Sequence, residues 1–296
     1  MPVRLTRELR AEGINSSAIR RLVREEDLHR IRRGAFAATL DAGAQQHLQL
    51  IRATMPRLGP GNVLSHVSAA VLHLLPVDAR TLDRVTITRH PGKGGTWIGP
   101  YVHRYRTPLP EGDVEVVDGL VRTTVARTVF DLGRCIDLGF SVAAADRALR
   151  KGLTQQALVE QLDAAHRRFG VAKARTMIEL ADARSESAGE SLSRVALWRL
   201  GLAPTELQFE VTARGNRYVA DFAWPELGVL GEFDGKVKYS DLLRPGESAA
   251  DVLMREKRRE ADLRAAGWWI VRWTYADVMQ PDRLDRLVRP ALYRSS

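Results

Sequence analysis

Apolar positions recur at two different spacings along the chain, and the change of spacing marks its organisation. Leu5 to Glu12 follows a helical spacing ended by Gly13. Asn15 or Ser16 can cap a second helix from Ser17 to about Glu26, with Ile19, Leu22 and Val23 as its apolar stripe. Leu28 to Ala37 then alternates and turns at Gly34, as a short hairpin does. The pattern from 41 to about 180 is mixed. Asn62 to Leu75 reads as a strand entering a helix, and Val85–Thr88 and Tyr101–Tyr105 read as strands. Val114–Val117 and Leu120–Thr123 flank Asp118-Gly119, the clearest hairpin signal in the chain. Helical spacing returns over Val125–Cys135, around Ala143–Arg150, over Gln155–Arg168 and over Val171–Ala183.

The small, polar run Asp182-Ala-Arg-Ser-Glu-Ser-Ala-Gly189 reads as a domain boundary. Beyond it an amphipathic helix from Ser187 to Leu200 turns Leu192, Val195, Ala196 and Leu200 inward. A strand over Glu206–Ala213 is turned by Arg214-Gly215-Asn216 into a second, Tyr218–Ala223. Pro225-Glu-Leu-Gly228 turns that one into Val229–Phe233. A charged helix, Val252–Ala266, is closed by Gly267. The near-continuous apolar strand Trp268–Trp273 and a helix over Ala276–Val288 complete the pattern. The expected fold is mixed α/β in three segments: an abbreviated winged helix-turn-helix over 1–40, a mixed α/β domain over 41–184 and an α/β unit over 187–290.

Composition narrows the partners. At 296 residues, 45% hydrophobic and 27% charged, the chain has the balance of a globular protein long enough for two cores. It contains no apolar run of the ~18 residues that a bilayer span needs, and its N-terminus has no apolar signal segment, so no membrane partner is expected. The single Cys135 cannot form an intrachain disulfide, which fits the cytoplasm. A net charge of +9 favours a polyanion, most simply nucleic acid. Arg20, Arg21 and Arg24 fall on the exposed sides of the second helix and Arg32 and Arg33 in the basic hairpin, as a helix in the major groove beside a wing on the phosphates requires.

The chemistry gathers in the hairpin of the last segment. Asp221 ends its first strand, and Glu232, Asp234 and Lys236 share one face of the second, opposite Val229 and Phe233. Three carboxylates and an ammonium at the end of an otherwise apolar hairpin are unfavourable unless a cation or tight pairing compensates. Mg2+ (or Mn2+) commonly takes one or two carboxylates plus water and phosphate, and Lys236 can orient water or stabilise developing negative charge. Gly231 and Gly235, with no Cβ, allow close approach of a backbone. Other motifs carry less. The loop Pro91-Gly-Lys-Gly-Gly-Thr-Trp97 lacks the spacing of a phosphate cradle, and His66 has no nucleophile or second histidine at a recognisable spacing.

Two resemblances follow from these residues. Arg32-Arg-Gly-Ala-Phe-Ala37, Ser65-His66-Val-Ser68-Ala-Ala-Val-Leu-His73 and Gly119-Leu-Val-Arg-Thr123-Thr-Val-Ala-Arg127-Thr-Val-Phe-Asp131 make residues 3–150 resemble the AbiEi family of antitoxin-type proteins. That resemblance implies a DNA-binding winged helix, repression of the protein's own promoter and neutralisation of a nucleotidyltransferase-like toxin. Residues 187–290 resemble the PD-(D/E)XK nucleases, in the branch related to very-short-patch-repair endonucleases. The matching residues are Glu190, Asp221, Gly231-Glu-Phe-Asp-Gly235, the run from Arg255 to Trp268, and Val271-Arg-Trp273. The resemblance implies Asp221 and Asp234 as metal ligands, Glu232 as a ligand or supporting acid, and Glu190 as an outer carboxylate. Arg258 and Arg272 are candidate phosphate contacts. Two functions stay open: a metal-dependent DNA endonuclease, and a non-catalytic antitoxin and autorepressor whose nuclease fold is inert, its acids paired with arginines.

Overall fold

The computed structural model describes residues 3–90, 95–165, 168–235 and 248–293. By the contacts among them the chain divides into two units, Met1–Asp137 with Gly152–Ile178, and Leu138–Lys151 with Glu179–Ser296.

In the first unit, β1 (Arg4–Leu5) leads into α1 (Thr6–Ala11), and Gly13, at φ +84°, ends that helix. Asn15 caps α2 (Ser16–Arg24), its side-chain oxygen accepting from the Ser17 and Ala18 amides at 3.0 and 2.9 Å. A hairpin of β2 (His29–Arg32) and β3 (Ala35–Ala37) turns at Gly34, and β1 pairs with β3 to give the order β1-β3-β2. Leu9, Ile19, Leu28 and Phe36 close a small core beneath the two helices.

A helix that the apolar pattern does not show follows, α3 (Gly43–Thr54). Its inward face carries His47 and Gln49 beside Leu50 and Ile51, so hydrophobic periodicity is broken where the helix is buried. Each polar group is satisfied: His47 bonds Ser68 Oγ and Leu82 O at 2.8 Å, and Gln49 donates to Thr39 O. Next come β4 (Asn62–Leu64), α4 (His66–Leu72), β5 (Val85–Arg89), β6 (Trp97–Ile98), β7 (Val102–Arg106), β8 (Val114–Val117) and β9 (Leu120–Thr123). They form a mixed sheet ordered β6-β7-β5-β4-β9-β8. On α5 (Val125–Cys135) the fully buried Arg127 pairs with Asp131 at 2.9 Å and Asp113 at 2.7 Å. His66 is a packed junction residue, stacked 3.6 Å from Tyr105 and bonded to Ser65 Oγ. Burial holds its imidazole down at about 4, hence neutral.

The helix α6 (Leu138–Arg150) belongs to the second unit, whereas α7 (Gln155–Asp163) and the start of α8 (Val171–Leu180) return to the first. What ties α6 there is a buried ion pair. Asp146 accepts from Arg194 of α9 (Ala188–Arg199) at 2.5 Å and from the Asp182 amide at 2.7 Å. The remaining elements are β10 (Glu206–Ala213), β11 (Asn216–Trp224), β12 (Val229–Asp234), α10 (Ala249–Ala265), β13 (Trp269–Thr274), α11 (Tyr275–Val278) and α12 (Pro281–Leu292). The expected helix over 276–288 is divided, because Pro281 starts α12 and restricts the residue before it. The sheet order is β10-β11-β12-β13, antiparallel except for the parallel pair β12/β13. On one face α9 packs through Ser193, whose hydroxyl accepts from the Trp273 indole at 2.8 Å, and through Gly189 under the Phe233 ring. On the other face α10 sets Leu263 against Ala223, Leu230 and Ile270. No helix among the described residues is long and apolar enough to cross a membrane.

Candidate functional site

Where β10, β11 and β12 meet, the regular ladder fails at one place. Leu207 pairs with Phe222 and Phe209 with Ala220, but the intervening pair, Gln208 and Asp221, is not joined. Gln208 stands at φ +50°, a left-handed conformation within a strand. The inward alternation changes phase across this point. Phe222 lies against Trp273 on the α9 side, whereas Ala220 and Phe209 join the cluster around Leu263 of α10. Asp221 therefore sits at the kink, and its Oδ2 accepts from the Phe233 amide of β12 at 2.8 Å.

Glu190, in the first turn of α9, is buried and faces the same region. Its Oε2 accepts from the Glu186 amide at 2.8 Å and from Gln208 Nε2 at 3.0 Å. Burial pushes the Asp221 carboxyl up to about 7. The Phe233 amide opposes that rise, the charges of Glu190 and Glu232 add to it, and Arg259 offsets part of it. Among the described residues neither Asp221 nor Glu190 forms an ion pair.

Glu232 has a different setting. It is the register partner of Arg272 on the parallel strand β13, so the two side chains share the α10 face. Arg272 binds Glu232 at 2.8 Å and Glu260 and Glu256 at 2.7 Å each. Arg259, one helical turn from Glu256, pairs with both Glu232 and Glu256. Burial alone would lower the Arg272 guanidinium, but the bonds to Glu260 and Glu232 outweigh it and raise it. Two guanidiniums thus pair with three carboxylates; Glu232 Oε2 accepts from Arg272, while its buried Oε1 lies beside Arg259 without a hydrogen bond among the described residues. Arg272 is committed to this cluster rather than open to a phosphate. Asp234, at the end of β12, and Arg258 are exposed, and Lys236 lies outside the described residues.

The basic residues of the first unit also separate. Arg32 is turned inward, donating to Thr54 Oγ1 at 2.9 Å and lying 4.8 Å from the centre of the Tyr101 ring. Burial, then the charge of Arg57, lowers its guanidinium. Arg21 is paired with Glu25 at 3.8 Å, and Arg24 is exposed. Arg20 and Arg33 instead line a cavity of about 710 Å³ with Arg30 and Arg57, between α2 and the hairpin. Arg57 also borders an adjoining space of about 540 Å³ with Arg7 and Arg10. The basic hairpin segment signals Arg30, but Arg57 follows α3 and has no local signal. Gln208 likewise belongs to the second unit's site without a sequence pattern to single it out, whereas Arg259 lies in the run from Arg255 to Trp268, at helical pairing distance from Glu256.

No family model matches the chain. It is similar to two curated relatives, Uncharacterized protein MT2308 of Mycobacterium tuberculosis (strain CDC 1551 / Oshkosh) and Uncharacterized protein Rv2248 of Mycobacterium tuberculosis (strain ATCC 25618 / H37Rv). Identity to each is 32% over 171 residues, which is 57% of this chain and 60% of the relative. The chain spans three fifths of the length of the curated relatives it matches.

Proposed function

We propose that the second unit hydrolyses phosphodiester bonds of DNA with a divalent cation, Mg2+ or Mn2+, held at Asp221 and Glu190, and that the first unit binds DNA. The observation that carries this reading is the pair itself. Buried Glu190 and half-buried Asp221 lie beside each other with no ion-pair partner among the described residues, and Asp221 is held near pH 7. A hard cation with oxygen ligands relieves that repulsion. The donor set fits such an ion in hydrated form. Among the described residues no three Asp, Glu, His or Cys side chains converge as a closed cage, but Mg2+ commonly keeps several waters and uses one or two carboxylates. Glu232 is a less open ligand than this pair, since Arg272 holds its Oε2 at 2.8 Å and Arg259 lies against its Oε1.

When bound, the cation supplies charge stabilisation for the phosphate and a water of lowered pKa. The protein's own groups fix the geometry. The Phe233 amide holds Asp221 Oδ2, and the Glu186 amide with Gln208 holds Glu190 Oε2. With no cation present, the raised Asp221 carboxyl takes up a proton near neutrality and limits the buried charge. Asp234 is the exposed acid at the end of β12, the strand whose Phe233 amide holds Asp221, and is available to substrate or to the ion's waters. The test is cleavage of DNA with and without Mg2+ or Mn2+. The parent cuts only with metal, and Asp221→Ala and Asp234→Ala proteins with an unchanged urea midpoint do not. Cutting by both variants at the parent's rate overturns the reading.

The ion cluster at Glu232 favours a second reading, in which the fold is inert and the protein is an autorepressor and antitoxin to a nucleotidyltransferase-like toxin. It requires salt-sensitive binding to the protein's own upstream DNA and no metal-dependent cleavage.

A further inference from the structure

Gln208 connects the two acids, and its backbone is held in an unfavourable conformation to do so. Of the non-glycine residues with positive φ among the described residues, Gln208 alone lies inside a strand. Asp118 and Arg214 belong to hairpin turns, and the others lie at helix ends or in loops. Nothing in the local sequence asks for this, because Gln208-Phe-Glu-Val carries no Gly, Asn or Asp that would tolerate the left-handed region. Two consequences meet at one point. The ladder opens opposite Gln208, so Asp221 is left unpaired in the sheet and its carboxylate reaches the Phe233 amide. The Gln208 side chain is aimed at buried Glu190, its amide NH2 donating to the carboxyl oxygen Oε2 at 3.0 Å. Backbone strain of this kind persists where the surroundings impose it, and it clusters at functional sites.

We propose that Gln208 is a positioning residue: its left-handed backbone opens the sheet at Asp221 while its amide fixes Glu190 as an oriented partner for a divalent cation. This rests on the metal reading of the Asp221–Glu190 pair. Gln208 touches neither substrate nor cation. Its role is that of the outer hydrogen-bond partners of metal-binding carboxylates, whose loss typically weakens metal binding about 10- to 100-fold.

Two substitutions separate the backbone from the amide. Gln208→Gly adopts φ +50° freely but has no amide. Gln208→Asn tolerates the left-handed region, but its side chain is one methylene too short to reach Glu190. Each protein is titrated with Mn2+ alone, with free Mn2+ read by electron paramagnetic resonance and folding checked by urea unfolding. The parent binds, and both folded variants bind about tenfold more weakly or worse. In Mn2+-dependent cleavage the concentration of Mn2+ needed for half-maximal rate rises by a similar factor, while the rate at saturating Mn2+ stays within about twofold of the parent. If Gln208→Gly does not fold, Gln208→Asn carries the test. A parent that binds while a folded variant binds equally well overturns the positioning role alone. A parent that takes up no Mn2+ overturns the metal reading and this inference with it.

Discussion

Replacing Asp221 with asparagine removes the most perturbed carboxyl of the acidic pair at nearly constant shape, and its effect on stability depends on pH in a direction fixed by the structure. Burial holds the Asp221 carboxyl near 7 instead of its ordinary 3.8. The charged form is therefore about 4 kcal/mol less favourable in the folded chain than in the unfolded one. Between pH 4 and 7 the folded protein keeps a proton that the unfolded chain has lost, so stability is greatest below pH 4, falls through this window and levels off above 7. From pH 5 to pH 8 the parent loses about 2.5 kcal/mol through this group. Asp221→Asn does not titrate there, so the gap in unfolding free energy between variant and parent widens by that amount in the variant's favour. The assay is urea denaturation of both proteins at pH 5, 6, 7 and 8 without divalent metal. Mn2+ at about 100 times its dissociation constant then returns about 2.7 kcal/mol to the parent at pH 8 and nothing to Asp221→Asn. A gap that stays constant from pH 5 to 8 refutes the reasoning, because it means that Asp221 is not a desolvated acid.

Two more outcomes follow from the first unit. Arg127→Ala removes the buried guanidinium that Asp131 and Asp113 share, leaving Asp131 with Arg134 and Asp113 with Gln161, and lowers stability by about 3–5 kcal/mol, read as a lower urea midpoint. Alanine at Arg20, Arg30, Arg33 or Arg57 weakens DNA binding across unrelated sequences and lowers the slope of log affinity against log salt by about 1 each, whereas alanine at the inward Arg32 leaves that slope unchanged.

Strand alternation made the acidic hairpin legible in the sequence. The apolar runs around Ala223 and Leu230 could lie only against a core, so Asp221 and Glu232 had to meet at one end of a hairpin. Alternation also put Glu232 on a definite face, but not opposite Arg272, since that pairing depends on the parallel register of a strand reached only after α10. The paired-acid alternative is thus seen at Glu232 and not at Asp221. The phase change at Gln208 was illegible because it is a backbone conformation with no compositional mark. Helix α3 was hidden for a different reason: its buried face is partly polar, and only the partners Ser68, Leu82 and Thr39, distant in sequence, make that tolerable. Chain order likewise placed α6 with its neighbours, whereas Asp146 finds Arg194 nearly fifty residues later.

Anomalous diffraction from crystals grown with Mn2+ shows where the cation binds. The expected peak lies within direct coordination distance of an Asp221 oxygen and beside Glu190, with Glu232 still against Arg259 and Arg272. Mn2+ found only elsewhere, with Asp221 and Glu190 free of metal, contradicts it.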